Sequence, residues 1–504
     1  MAGQNISNTR SLNSALSTAN AATLKLKWAY PNMPGDVSST PALVDGALYI
    51  TSWPSGWPDM SAGGYLTKLN ATTGALIWNK RIGDYTGMPT NAFSRTSPAV
   101  ANGVVYIGDW QRTDANRVTG ARLLAINVDG SRKWVTNLDD HPVAQVTQSP
   151  IVYNGIVYVG VTSDEESTGA WFSGTGPCCT FRGSFLAVDA ATGVIKWKAY
   201  MVPLGYSGAG VWGSTAAIDP ASRTVYITTG NNYSVPTAVK TCQNQGNPPS
   251  VCMDPKNYVD SIVALNMDTG EVRWATGVMQ WVKGTSGFDD WTTACTGNGY
   301  PQNCPYPVGP DYDFAAGPNL LTVTLKGNRG TTLAVGAGQK SGIYWMLDAK
   351  TGKLIWSTQL ATGAVAGGIQ WGTSTDGTRI YAASSNSDGQ KYKSYKTATF
   401  AAMDASTGRI LWQIPEPTGW TYAPGPVTVT NGVVLAGSLG RKVFAFNATN
   451  GSKLWAWDVE GATNAGPAVS TDGTIYWGNG YNRWGPNSPG APSHTFYAFS
   501  IGGT

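Results

Sequence analysis

The chain has 504 residues, of which only 13% are charged, with 62 glycines, 21 tryptophans and a net charge of +4. The charged share is about half the average of 25%, no basic stripe marks a nucleic-acid surface, and no apolar run approaches the ~18 residues of a membrane-spanning helix. What remains is a large, turn-rich chain without a break in composition, read as one domain over residues 1–504.

The opening MAGQNISNTR lacks the apolar run of a signal peptide and reads as a mature or engineered start. From there a single unit recurs. An alternating apolar run forms a strand, a Thr-Gly or Asn-Gly step forms a tight turn, and a second apolar run closes on tryptophan. The unit ends at Trp28, Trp78, Trp134, Trp197, Trp274, Trp356, Trp412 and Trp455, which makes eight copies. Between them lie partner hairpins such as STPALVDGALYIT, QSPIVYNGIVYVG and GPAVSTDGTIYWG. Each copy therefore supplies about four strands, and no amphipathic helix intervenes. A four-stranded sheet repeated at this period means an all-β, eight-bladed β-propeller. The last hairpin, TFYAFSIGG, follows the eighth motif, so the C-terminal strands should complete the blade begun by the N-terminal segment and leave no free edge.

Six cysteines bear on the compartment. Cys242 and Cys252 bracket one polar loop, and Cys295 and Cys304 bracket another. Such loops suit local disulfides and an oxidising environment, while their spacing suits no zinc site and the chain has only two histidines. Cys178 and Cys179 are adjacent. Cα atoms one trans peptide apart lie about 3.8 Å from each other, short of the ordinary disulfide range of about 4.4–6.8 Å. Adjacency alone therefore favours two unlinked thiols over a strained ring. The Asn-X-Ser/Thr triplets at Asn5, Asn70, Asn232, Asn447 and Asn450 are mostly chance in so Thr- and Asn-rich a chain. The long inserts, Trp53–Tyr65, Thr162–Pro177, Asn231–Asn257, Val278–Pro318 and Ser384–Thr397, are where function should gather.

Nine tags in order (QNISNTR, DVSSTPAL, HPVAQVTQSPIV, CCTFRGS, GVWGS, ITTGNN, DYDFAAGPNL, GQKSGIYWMLDAKTGKLIW and GGIQWG) resemble the pyrroloquinoline quinone (PQQ)-dependent alcohol dehydrogenases. CCTFRGS and NYVDSIVALNMDTG look most like the polyvinyl alcohol dehydrogenase branch of that family. The resemblance implies an eight-bladed propeller that oxidises an alcohol by hydride transfer to PQQ beside a divalent cation.

Carried over position by position, the resemblance implies a Glu and an Asn as metal ligands. VGVTSDEES places Glu165 there, with Glu166 beside it, and TTGNN offers Asn231, with Asn232 next. Hard oxygen ligands suit Ca2+, and Ala315 lacks the extra carboxylate typical of lanthanide-dependent relatives. DYDF implies Asp313 as base and metal neighbour, with Asp311, Asp289 and Asp290 as competitors. Lys340 in GQKSG would face the quinone oxygens, and Arg95 and Arg182 its carboxylates. Trp212 would lie beneath the ring, Thr147 and Trp371 would contact it, and the Cys178–Cys179 pair would cover the other face.

No Cys-X-X-Cys-His occurs, so electrons should leave for a separate acceptor such as a cytochrome c. His141 reads as structural. The aromatic inserts (Trp53, Trp57, Trp171, Phe172, Trp281, Trp291) suggest an apolar mouth for bulky secondary or polymeric alcohols, or a roof over the cofactor. A periplasmic or secreted enzyme is the expectation. The alternative is a cofactor-free propeller of the outer-membrane assembly-scaffold kind, which would have no need of the paired cysteines, the TGN motif or the DYDF insert.

Overall fold

A computed structural model describes residues 5–55, 61–88, 90–111, 120–166, 179–292, 308–327, 330–482 and 490–503. Eight four-stranded antiparallel sheets follow one another along the chain. The first runs from Ala42–Val44 to Leu76–Arg81, and the seventh from Thr428–Thr430 to Lys453–Asp458. In the eighth, Phe496–Ile501 pairs antiparallel with Leu24–Tyr30. The two ends of the chain thus share one sheet, as the position of the first and last motifs requires, and the ring has no open edge.

Each tryptophan that closes a repeat sits on the outermost strand of its sheet and donates its indole N–H to a carbonyl of the next. Trp28 reaches Ala71, Trp197 reaches Met267, Trp412 reaches Ala448, and Trp455 reaches Leu24, all at 2.9–3.1 Å. The last of these spans the chain ends. The turn glycine of the neighbouring sheet makes room for the ring. Gly451 has φ +74°, and a Cβ there would stand 2.7 Å from the Trp412 indole. The Thr-Gly and Trp signals of the repeat are therefore two halves of one inter-blade staple.

The middle strands are buried on both faces, as Ala47–Ser52 shows, while outer strands such as Leu76–Arg81 are largely exposed. Apolar clusters lie between successive sheets. One joins Val335, Trp345 and Leu347 of the fifth sheet to Tyr226, Ile262 and Ala264 of the fourth. Burying such faces at about 25 cal/mol per Å2 is the main stabilisation of the ring.

Two features depart from the sequence reading. The Asn231–Asn257 insert, read without a helix, carries Thr237–Asn244 and Pro249–Cys252, tied together by the Cys242–Cys252 disulfide. Proline at Pro236 and Pro249 starts each with its φ already set. The N-terminal segment also does more than precede the first strand. Its carbonyls at Ile6, Ser7, Thr9 and Arg10 accept from Ile218, Leu320, Thr375 and Val429, so it crosses the innermost strands of four consecutive blades. No helix among the described residues is long and apolar enough to cross a membrane.

Candidate functional site

Asp313 is the meeting point of the expected residues. Its Oδ1 accepts the backbone N–H of Asn231 at 2.6 Å. Its Oδ2 accepts the Trp212 indole N–H at 3.0 Å and the Lys340 ammonium at 3.3 Å. The approach is possible because residue 230 is glycine, where a Cβ would lie 2.7 Å from Asp313 Oδ1. Lys340 also donates to Asp311 Oδ1 at 2.7 Å, and its nitrogen stands 5.1 Å from the Trp212 ring centre. Trp212 meets Trp371 edge-on at 5.3 Å, and Trp371 in turn faces the Arg95 guanidinium at 5.5 Å. Thr147 donates to the Trp212 carbonyl at 3.2 Å. Arg95, Thr147 and Trp371 line one cavity of about 520 Å3, including the part open to solvent.

Around Asp313 the charge is lopsided. Burial would lower the Lys340 pKa, but Asp311, Asp313 and Glu166 outweigh it and hold the ammonium firmly protonated. Burial, with Asp313 adding, lifts Asp311 to about 7 against the pull of Lys340. Burial and the neighbouring carboxylates also raise Glu166, Asp289 and Asp260 well above the usual carboxylate range. A single ammonium therefore faces a group of buried acids, an arrangement that favours an added cation.

The orphaned polar atoms fit one. Both side-chain atoms of Asn231 are buried without a hydrogen-bond partner, as is Glu166 Oε2. Such atoms cost about 1–3 kcal/mol each when left unmet. Among the described residues no three His, Cys, Asp or Glu side chains form a metal site by themselves.

The structure separates the paired alternatives. Glu165 accepts from the backbone N–H groups of Thr180 and Phe181 at 2.8–3.0 Å and lies 3.5 Å from His141, and these partners outweigh burial to lower its pKa. Its carboxylate is spent on holding the 180–181 turn, and Glu166 is the one under the influence of Asp311 and Asp313. Asn232 exchanges hydrogen bonds with Asn257, leaving Asn231 as the open amide. Asp289 accepts from the N–H groups of Asp311 and Tyr312, and Asp290 from Gln243.

Arg182 has partners of its own. Its guanidinium donates to the Val202 carbonyl and stacks 4.1 Å from the half-exposed Tyr200. Cys179 is disulfide-bonded, against the expectation of a free thiol. Cys178, Cys295, Cys304, Trp57, Trp171 and Phe172 lie outside the described residues. Of the other insert aromatics, Trp53 and Trp291 are buried and Trp281 is exposed. Sequence reasoning missed Asp260 (the visible signal was an acid opening the apolar strand of DSIVALN) and Arg10, which the QNISNTR tag contained without a role.

The chain is 28% identical over 546 aligned positions to the polyvinylalcohol dehydrogenase of Sphingopyxis sp. (strain 113P3), covering 97% of this chain and 74% of that one. Among solved structures it is similar to quinohemoprotein alcohol dehydrogenase from Comamonas testosteroni, at 21% identity and a TM-score of 0.71 over 99% of this chain and 80% of that one. BamB from Moraxella catarrhalis shares the fold more loosely, at 13% identity and a TM-score of 0.53 over 95% and 99%. The family model described as outer membrane protein assembly factor BamB matches residues 3–199 and 332–483. With more than half of its length matched, the chain belongs to this PQQ-repeat propeller family.

Proposed function

We propose that the chain is a quinoprotein alcohol dehydrogenase, formed by residues 1–504 as one propeller domain, with PQQ as its cofactor and Ca2+ as its metal. The observation that carries this reading is the Asp313 carboxylate, fixed by Trp212, Lys340 and Asn231 beside an Asn231 amide and a Glu166 oxygen that lack partners. Similarity to polyvinylalcohol dehydrogenases over 97–99% of this chain and 74–76% of theirs supports it.

On this reading Asn231 and Glu166, with Asp313 adjacent, would hold the cation, and Lys340, Arg95, Thr147, Trp212 and Trp371 would surround the quinone. When bound, the quinone supplies the acceptor for a hydride and the cation polarises its oxygens. Asp313 takes the alcohol O–H proton, since its Oδ1 accepts a single hydrogen bond and retains a lone pair. Lys340 stays protonated and offsets the charge of Asp311 and Asp313. Trp212 orients the base. The product is a carbonyl compound, and the two electrons pass to a separate acceptor such as a cytochrome c. The substrate class we favour is secondary or polymeric alcohols, by analogy with the relatives' names. The Cys242–Cys252 disulfide supports a periplasmic or secreted location.

The deciding experiment reconstitutes the purified chain with PQQ and Ca2+. Dye-linked oxidation of secondary alcohols and a quinone absorbance band, both lost on adding a chelator, are the expected results. Absence of PQQ binding by calorimetry would move the chain to the scaffold reading that the family description suggests.

A further inference from the structure

The cavity lined by Arg95, Thr147 and Trp371 is also bounded by the N-terminal segment, and the group that segment delivers there is a cation. Arg10, itself in the left-handed region at φ 47°, is 7% exposed and lines the cavity. Its hydrogen bonds go to neutral acceptors: Nε to the Val427 carbonyl at 3.0 Å, and Nη2 to the hydroxyls of Thr40 and Thr428 at 3.2 and 3.4 Å. No carboxylate among the described residues offsets it, and burial alone lowers its pKa to about 10, so it remains charged at neutral pH. A buried guanidinium without a counter-charge is expensive.

A second observation points the same way. Thr215, 6% exposed, lines the same cavity, and its hydroxyl has no hydrogen-bond partner. Gly372 lies between the two sides: a Cβ there would be 3.6 Å from Arg10 Cδ and 3.4 Å from the hydroxyl of Ser214, the residue preceding Thr215. Ser97 and Ser149 add hydroxyls to the wall. We propose that the part of this cavity beside Arg10 is a binding site for a compact inorganic oxyanion of the sulfate or phosphate type, held by Arg10 and the Thr215 hydroxyl and occupied independently of the quinone. Guanidinium forks and hydroxyl donors recognise such anions by charge-assisted hydrogen bonds. The bound anion would neutralise Arg10 and pin the N-terminal segment across the blades it crosses.

The test uses the full chain free of quinone and metal, with sodium sulfate as the probe at constant ionic strength. Calorimetry should show saturable binding of about one sulfate per chain, and the unfolding temperature should rise with the same concentration dependence. Arg10→Gln should weaken sulfate at least about tenfold, which is the loss of one charge-assisted contact. Because Arg10 also anchors the N-terminal segment, Thr215→Val serves as the control for folding. It removes a hydroxyl that supports no other group, so unfolding without sulfate should match the parent while sulfate binding weakens. Adding PQQ to saturation should leave the sulfate isotherm in place. The proposal is overturned if the parent binds no sulfate, if both variants bind it as the parent does, or if PQQ displaces it. None of these readings depends on whether the chain oxidises alcohols.

Discussion

The Trp212 indole N–H and the Lys340 ammonium converge on one oxygen of Asp313, at 3.0 and 3.3 Å, across 101 and 27 residues of chain. Two neighbouring blades thus deliver the donors that fix one carboxylate. This leaves the carboxylate little freedom to rotate, which suits the proposed role of a base held for a bound alcohol.

Trp212→Phe tests that arrangement. The ring stays, but Asp313 loses a charge-assisted hydrogen bond of about 1.5–3 kcal/mol. On the proposed function kcat should fall by about tenfold or more, with quinone affinity little changed. Stopped-flow quinone reduction under single-turnover conditions reads the step directly. An unchanged rate would mean that the indole N–H does not orient the base.

How much of this was legible beforehand differs between fold and site. The blade count was readable because each Trp must find a carbonyl in the next sheet, so every copy had to keep its signal. Asp313, Trp212 and Lys340, which the structure brings together, each sit in a tag whose glycine, Gly317, Gly213 or Gly342, is held by close backbone approach. The choice between Glu165 and Glu166 was not readable. Adjacent residues in a short turn point in different directions, and which one meets the Thr180 and Phe181 amides depends on a loop elsewhere in the chain. The partners of Arg182, Val202 and Tyr200, were not readable either, because the fold brings them to it. Asp260 was hidden inside what reads as the start of a buried strand.

The ring closure carries its own prediction. Trp455→Phe removes the hydrogen bond to Leu24 and leaves a buried carbonyl unmet. The cost should be about 1–3 kcal/mol, seen as a lower urea midpoint with the same m value. Gly451→Ala should cost at least as much, because it combines a left-handed backbone with a clash against Trp412. Alcohol oxidation at saturating cofactor should be unaffected in both folded variants. A midpoint equal to the parent's in Trp455→Phe would refute the staple.

Asp109 gives a pH dependence away from the site. It is fully buried, accepts the Arg122 N–H at 2.7 Å and has the Arg122 guanidinium at 3.5 Å. Burial outweighs these contacts and raises its pKa from 3.8 to about 7. The folded state therefore holds this proton more tightly than the unfolded chain. The stability it contributes is full below the unfolded value of 3.8 and is lost as pH rises through about 7. Asp109→Asn, neutral throughout, should flatten that part of the profile, which one proton sets at no more than about 1.4 kcal/mol per pH unit. Unfolding in urea across this window measures both slopes. Parallel profiles would show that Asp109 is ionised in the fold at all of these pH values.

The last prediction separates three carboxylates that lie close in sequence or space. Asp313→Asn keeps the shape of the base and one oxygen, so cofactor and Ca2+ should stay bound while turnover falls about 10^2–10^4-fold, the usual worth of a general base. Glu166→Gln removes a negative charge from the proposed cation site, so metal affinity should weaken first and activity should partly return at high Ca2+. Glu165→Gln should do neither. Its carboxylate receives N–H groups from Thr180 and Phe181, and a neutral amide accepts them less well, so the loss should be about 1–3 kcal/mol of stability with metal affinity unchanged. Calorimetric Ca2+ titration, single-turnover quinone reduction and urea unfolding on all three variants give each a distinct pattern. If Glu165→Gln loses the metal while Glu166→Gln keeps it, the two acids exchange roles. If Asp313→Asn retains full turnover, the proton goes to another member of the buried group, and Asp311, paired with Lys340 at 2.7 Å, is the next to replace.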